Sequence, residues 1–167
     1  MKAFHESLPF EGYPIVQLPP SLASVNVSLA EAINTRTSSR NLTSLRVSLE
    51  TAATLLHLSY GVNRNNKAER NHRVVPSGGA LYPLEIYFHS SHIDGLRAGL
   101  YHYNPPNHNL RFLHQGDETG RITEKLLQPE LALGASIIIF ITAIFGRSVF
   151  KYQDRGYRYI LLEAGHV

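Results

Sequence analysis

The chain has 167 residues, no cysteine, and 16 lysines and arginines against 13 aspartates and glutamates, a formal net charge of +3. That length suits one domain with a hydrophobic core, or most of a slightly larger one, and the lack of cysteine excludes disulfides, thiolate chemistry and iron–sulfur ligation. No apolar run approaches the roughly 20 residues a membrane helix needs, Met1 to Glu6 carries no signal core, and the basic residues form no stripe interleaved with aromatics, so the expectation is a cytoplasmic protein that binds neither membrane nor nucleic acid.

Residues 1–26 are rich in proline (Pro9, Pro14, Pro19, Pro20) and lack periodicity, which predicts an extended arm lying over the domain or over a partner subunit. Residues 27–167 form the folded domain. A short helix is expected over Ser28 to Asn34, capped near Asn26 or Ser28. A clearer one runs from Ser48 to Tyr60, with Ser48 as cap, Gly61 just past the end, and Leu49, Ala52, Ala53, Leu56 and Tyr60 facing the core. Asn63 to Arg73 is polar and basic, either a solvated loop or a rim that attracts an anion. Leu84 to His89 reads as a strand, and 100–103 with 109–113 as a hairpin around Asn104-Pro105-Pro106-Asn107-His108. Glu118 to Gln128 is expected to be helical. Ile137 to Phe145 is continuous enough for a strand buried on both faces. From Arg155 to Val167, Tyr157, Ile160, Leu161 and Ala164 define a last helix face, which carries no stop signal and so suggests a domain lacking its C-terminal part.

Three constellations could carry chemistry. Arg36 and Arg40, with Thr37, Ser38 and Ser39 between them, can offer charge-assisted donors to a phosphate or an electron-rich ring edge, or can simply complement a helix C-terminus. Pro76-Ser77-Gly78-Gly79-Ala80-Leu81-Tyr82-Pro83 is a plain turn or a cradle. Its glycines allow close backbone approach and its prolines hold the shape. It is neither a Walker loop nor a dinucleotide fingerprint, since no Gly-Lys-Ser/Thr follows and G-x-G-x-x-G is absent. Lys151-Tyr152 follows the last strand. Such a pair can move protons, because an ammonium stabilises a phenolate, or it can be ordinary surface chemistry. The nine histidines have no metal-ligand spacing, so no metal is expected. No G-x-S-x-G elbow is present.

Taken in order, these segments resemble the nitroreductase superfamily of FMN-dependent oxidoreductases. The likeness is to its SagB-type branch, which includes the azoline dehydrogenases of thiazole/oxazole-modified peptide pathways. The likeness rests on Arg36 to Arg40 (an R-x-S-x-R pattern), Leu58-Ser59-Tyr60-Gly61, Pro76 to Pro83, Gly99 to Tyr103, and Lys151 to Tyr159. It implies an α+β fold with a central, mostly antiparallel sheet flanked by helices, and a homodimer with FMN at the subunit interface. Arg36, Ser38 and Arg40 would hold the flavin's phosphate, ribityl chain and pyrimidine edge. Pro76, Ser77, Gly78 and Gly79 would line the flavin from the neighbouring subunit. Lys151 and Tyr152 would deprotonate an azoline carbon while hydride passes to the flavin. A peptide substrate and partners in a modification complex are implied too. The family's remaining C-terminal segment, with a further phosphate contact, has no counterpart here. The alternatives are a non-catalytic scaffold or dimerisation partner, or a general NAD(P)H-dependent nitroreductase.

Overall fold

The computed structural model describes residues 7–20, 25–65 and 71–167. The expectations for Met1 to Glu6, and for the middle of the basic stretch between Asn63 and Arg73, lie outside these residues. Five strands form an antiparallel sheet in the order β1-β8-β7-β5-β9. They are β1 (Ile15–Gln17), β5 (Leu84–Ser90), β7 (Gly99–Asn104), β8 (Asn109–Gln115) and β9 (Ile137–Ala143). Two small pairings lie outside this sheet: β2 (Val47–Ser48) with β6 (Ile93–Asp94), and β3 (Val62–Asn65) with β4 (Asn71–Arg73).

Alternation along β5 sorts the sheet's two faces. Leu84, Ile86 and Phe88 point into the core with Tyr101, Tyr103 and Leu110, where Phe88 stacks on Tyr101 at 5.3 Å. Helix α2 (Leu49–Tyr60) closes that core with Ala52, Ala53, Leu56 and Tyr60, the face its sequence period predicts, and α6 (Arg155–His166) adds Ile160. Truncating a ring such as Phe88 to alanine would cost about 3–5 kcal/mol. On the other face Phe10 packs its ring against His102 at 4.7 Å and Tyr87 at 6.0 Å, so the described part of the arm lies on its own domain.

The helix ends follow capping chemistry. Ser28 accepts the Glu31 N–H at the start of α1 (Leu29–Thr35), and Ser48 accepts that of Thr51 at the start of α2. Gly61 is not left-handed, as a helix-ending glycine often is. It is required because a Cβ there would lie 2.5 Å from the His57 carbonyl oxygen.

Three expectations need correction. Of the face expected for the last helix Ile160 is buried, but Tyr157 and Leu161 stay 50% and 69% exposed. The segment 118–128 is not one helix: α3 spans only Thr119–Thr123, and α4 (Pro129–Leu133) starts afresh at its proline. Gly120 and three β-branched residues make α3 a poor helix, and the chain leaves it through 3₁₀-type bonds from Lys125 and Leu126. Nor is β9 buried on both faces. It pairs with β5 alone among the described residues, and Ile139 and Ile141 remain 40% and 41% exposed. Its apolar run reflects an edge that the described chain leaves uncovered. No described helix is long and apolar enough to cross a membrane.

Candidate active site

The proline–glycine loop is held from several sides. The Ser77 hydroxyl accepts the Tyr82 N–H at 2.9 Å, and the Ser77 carbonyl accepts that of Ala80 at 3.0 Å. The Pro83 carbonyl accepts from Ile144, and the Tyr82 hydroxyl accepts the Arg73 N–H at 3.1 Å. Gly79 sits at φ +67°, where glycine is at home, but Ala80 and Tyr82 also take positive φ values of 54° and 45°. Such residues cost of order 1–3 kcal/mol each and persist only where the surroundings over-determine them. The bonds just described do so.

Beneath the loop lies a buried polar layer. Glu163 on α6, only 3% exposed, accepts the Tyr60 hydroxyl at 2.9 Å and lies near the Ser77 side chain. Burial raises its carboxyl above the ordinary 4.5, against the opposing pull of Ser77, Tyr60 and the Arg73 charge. Burial likewise pushes the Tyr60 phenol up. The Arg73 guanidinium rests on the rings of Tyr60 at 4.3 Å and Tyr82 at 4.9 Å, and its terminal nitrogens have no hydrogen-bond partner among the described residues.

Above the loop stands the Lys-Tyr pair, at the end of α5 (Gly146–Tyr152). Lys151 Nζ lies 5.3 Å from the centre of the Tyr152 ring, and that ring meets Tyr159 edge-on at 5.0 Å. A Cβ added to Gly79 would fall 2.6 Å from the Tyr152 hydroxyl and 2.9 Å from Lys151 Nζ, and one on Gly78 would press on the Tyr159 ring at 3.3 Å. The glycines therefore let a proton-carrying pair come down onto bare backbone.

A buried ion pair fixes α5 in place. Arg147, 5% exposed, sets its Nη1 2.7 Å from Glu85 Oε1 and donates to the Tyr82 carbonyl at 3.0 Å. Glu85 also accepts from His102 Nε2 at 2.6 Å, the Ser7 hydroxyl at 3.0 Å and the Leu8 N–H at 3.2 Å. Burial works to raise the Glu85 carboxyl, but the bonds from His102 and the Arg147 charge outweigh it and hold the group below 4.5.

The fold thus brings together Ser77, Gly78, Gly79, Lys151 and Tyr152 within one chain. It does not bring Arg36, Ser38 and Arg40 to them. Those three lie exposed in the coil after α1, and among the described residues no hydrogen bond, ion pair or ring contact ties residues 25–41 to the rest. Two guanidiniums with hydroxyls between them and no acidic partner are a donor set that suits a phosphate. A cavity of about 570 Å³ between Tyr87, His89, Leu100, Ile122 and Phe140 holds none of the expected site residues. Among the described residues no three histidines or carboxylates gather to hold a metal ion.

Sequence reading assigned no role to Arg147, Glu85, Glu163 or Tyr159. Two signals could have found the first pair: Arg147 precedes Lys151 by one helical turn, and Glu85 is a lone charge inside an apolar strand.

An α+β sheet domain with a tyrosine–lysine pair over a glycine loop defines a nitroreductase-like protein. The nitroreductase family model matches residues 33–167, and the chain belongs to that family of oxidoreductases. It is 32% identical over 141 residues to a Methanocaldococcus jannaschii protein named as a nitroreductase (MJ1384), an alignment covering 84% of this chain and 69% of that one. It is 37% identical over 109 residues to the Escherichia coli microcin B17-processing protein McbC, and 31% over 111 to the Rhizobium leguminosarum trifolitoxin-processing protein TfxB. Those alignments cover 56% and 64% of this chain but only 36% and 30% of the relatives. A nitroreductase-type structure from Anabaena variabilis superposes with a TM-score of 0.79 over 96% of this chain and 33% of its own, at 23% identity. The E. coli microcin synthetase McbBCD complex with truncated pro-MccB17 bound gives 0.59 at 26% identity, over 94% of this chain and 61% of the matched one.

Proposed function

We propose that the chain is part of an FMN-dependent, SagB-type dehydrogenase that oxidises azolines in a peptide to azoles. The observation that carries this reading is the Lys151–Tyr152 pair poised over Gly79. FMN, when bound, supplies the acceptor for the hydride. The pair takes the proton from the ring carbon, so two hydrogens leave and an aromatic ring remains. Gly78 and Gly79 keep the approach clear of side chains, and Pro76 and Ser77 hold the loop. Arg36, Ser38 and Arg40 would hold the flavin's phosphate, ribityl chain and pyrimidine edge, and guanidinium charge at that edge would favour the reduced ring.

A homodimer fits this reading, with the loop of one subunit lining the flavin held by the other. Support comes from residues 25–46, which are exposed throughout and carry Leu29 at 77% and Ile33 at 66%, and from the outward Leu55 and Leu58 of α2. Similarity to proteins named for processing microcin B17 and trifolitoxin favours a peptide substrate and a multiprotein modification complex. Similarity to a nitroreductase favours the second reading, reduction of nitroaromatics at the expense of NAD(P)H. The test is incubation of the FMN-loaded protein with an azoline-containing peptide. Loss of two hydrogens by mass supports the first reading. NAD(P)H-dependent nitro reduction without that mass change supports the second, and colourless protein that leaves added FMN fluorescence unquenched defeats both.

A further inference from the structure

We propose that Arg147 is a positioning residue that sets the Lys151–Tyr152 pair against the glycine loop, and that Glu85 is its anchor. Lys151–Tyr152 acting on substrate is the reading given above, on which this inference rests.

One guanidinium joins a helix, a loop and a strand. Arg147 lies on α5 one turn before Lys151, so the two side chains share a helix face. Its Nη1 reaches Glu85 on β5 and the Tyr82 carbonyl at the end of the loop. Glu85 is in turn fixed by a strand neighbour, His102, and by the arm through Ser7 and Leu8. Helix, loop and sheet are thereby tied at one buried point. The loop's other end is closed by Ser77, whose hydroxyl accepts the Tyr82 N–H and whose carbonyl accepts that of Ala80. Gly79 lies between the two ties, and Tyr152 and Lys151 would come within 2.6 and 2.9 Å of a Cβ there.

Among the described residues α5 buries only Arg147 and Ser148 and otherwise abuts α6 through Gly156 and the Tyr152–Tyr159 contact. A helix seven residues long with so few buried side chains takes much of its position toward the sheet and loop from the Arg147 bonds. Replacing the fork by a point charge keeps the charge balance of Glu85 but gives up the fixed geometry. A displacement of about 1 Å at reacting groups can cost on the order of a hundredfold in rate.

The experiment compares the protein with its Arg147→Lys variant in three measurements: thermal unfolding, steady-state kinetics on an azoline peptide, and the amide resonance of Gly79 in the ¹⁵N-labelled protein. The expected result is a retained fold and flavin, KM within about twofold, kcat down roughly 10- to 100-fold, and a displaced Gly79 amide signal while the β7 and β8 signals stay. Unchanged kcat with an unmoved Gly79 signal overturns the proposal, as does a loss confined to KM. If Arg147→Lys does not fold, the paired variant Glu85→Gln/Arg147→Met removes both buried charges together and carries the same expectation. Should the unaltered protein not oxidise the peptide at all, the functional reading fails. The Gly79 signal then still decides the positioning claim by itself.

Discussion

The glycine loop with α5 and the segment carrying Arg36 and Arg40 differ in how much of their surroundings the chain itself supplies. The loop is closed by Ser77, Tyr82 and Arg147, and its unfavourable backbone angles at Ala80 and Tyr82 are held in place by those bonds. Among the described residues, 25–41 have only the internal bonds of α1, and the apolar side chains around them face outward. One region is preorganised to act, whereas the other displays binding groups that need something else to pack against. In the proposed enzyme the first corresponds to chemistry and the second to cofactor retention and dimerisation, so the two should fail differently when altered.

Gly79→Ala separates them most strongly. A methyl group there meets the Tyr152 hydroxyl, and the backbone sits at φ +67°. Activity should fall by a hundredfold or more, on the order expected when a positioned proton-transfer group is displaced, and by more than the FMN affinity falls in a flavin titration. Arg36→Ala or Arg40→Ala should do the reverse. Each removes charge-assisted bonds worth about 1.5–3 kcal/mol, roughly one to two powers of ten in FMN dissociation constant, and leaves the melting temperature alone because both side chains are exposed and form no hydrogen bond or ion pair with the described residues. A full flavin complement in both variants would sink the assignment of that segment.

The smallest effects are in pH-dependent stability, where two buried carboxylates under the loop have opposite signs. Glu85 is held below 4.5, so its contribution is complete above the unfolded value and is lost as pH falls through the folded one. Glu163 is raised above 4.5, so its contribution is complete below that value and is lost as pH rises through the folded one. Thermal unfolding between about pH 4 and 8 should therefore show Glu163→Gln gaining stability relative to the parent as pH rises. The deficit of Glu85→Gln should shrink as pH falls. Parallel pH profiles for the two variants would contradict the described environments.

What the sequence made legible follows the same division. Capping serines, the period of α2 and the alternation of β5 are local signals, and they placed the core and most elements. The family likeness of Pro76 to Pro83 and of Lys151-Tyr152 named two motifs about seventy residues apart, and the fold sets them in contact. Sheet order was not legible, so β9 read as a strand buried on both faces, whereas among the described residues it pairs with β5 alone and leaves Ile139 and Ile141 partly exposed. The α3 region looked helical because composition does not register how Gly120 and the Asp117 side chain, which accepts from Thr119, confine the turn. Glu85 as a lone charge in an apolar strand and Arg147 one turn before Lys151 are each visible locally, but that they meet, across 62 positions of chain, is seen only in three dimensions.

The central claim is that Lys151, over the glycine loop, takes a proton from the substrate while FMN accepts the hydride. Its most direct test is anaerobic mixing of the FMN-loaded protein with an azoline peptide, following flavin absorbance and product mass together, in the parent and in Lys151→Ala. The account predicts bleaching of the flavin and a product lighter by two hydrogens in the parent. In the variant, bound FMN should be undiminished and both signals lost. Bleaching at the parent's rate in Lys151→Ala would contradict it.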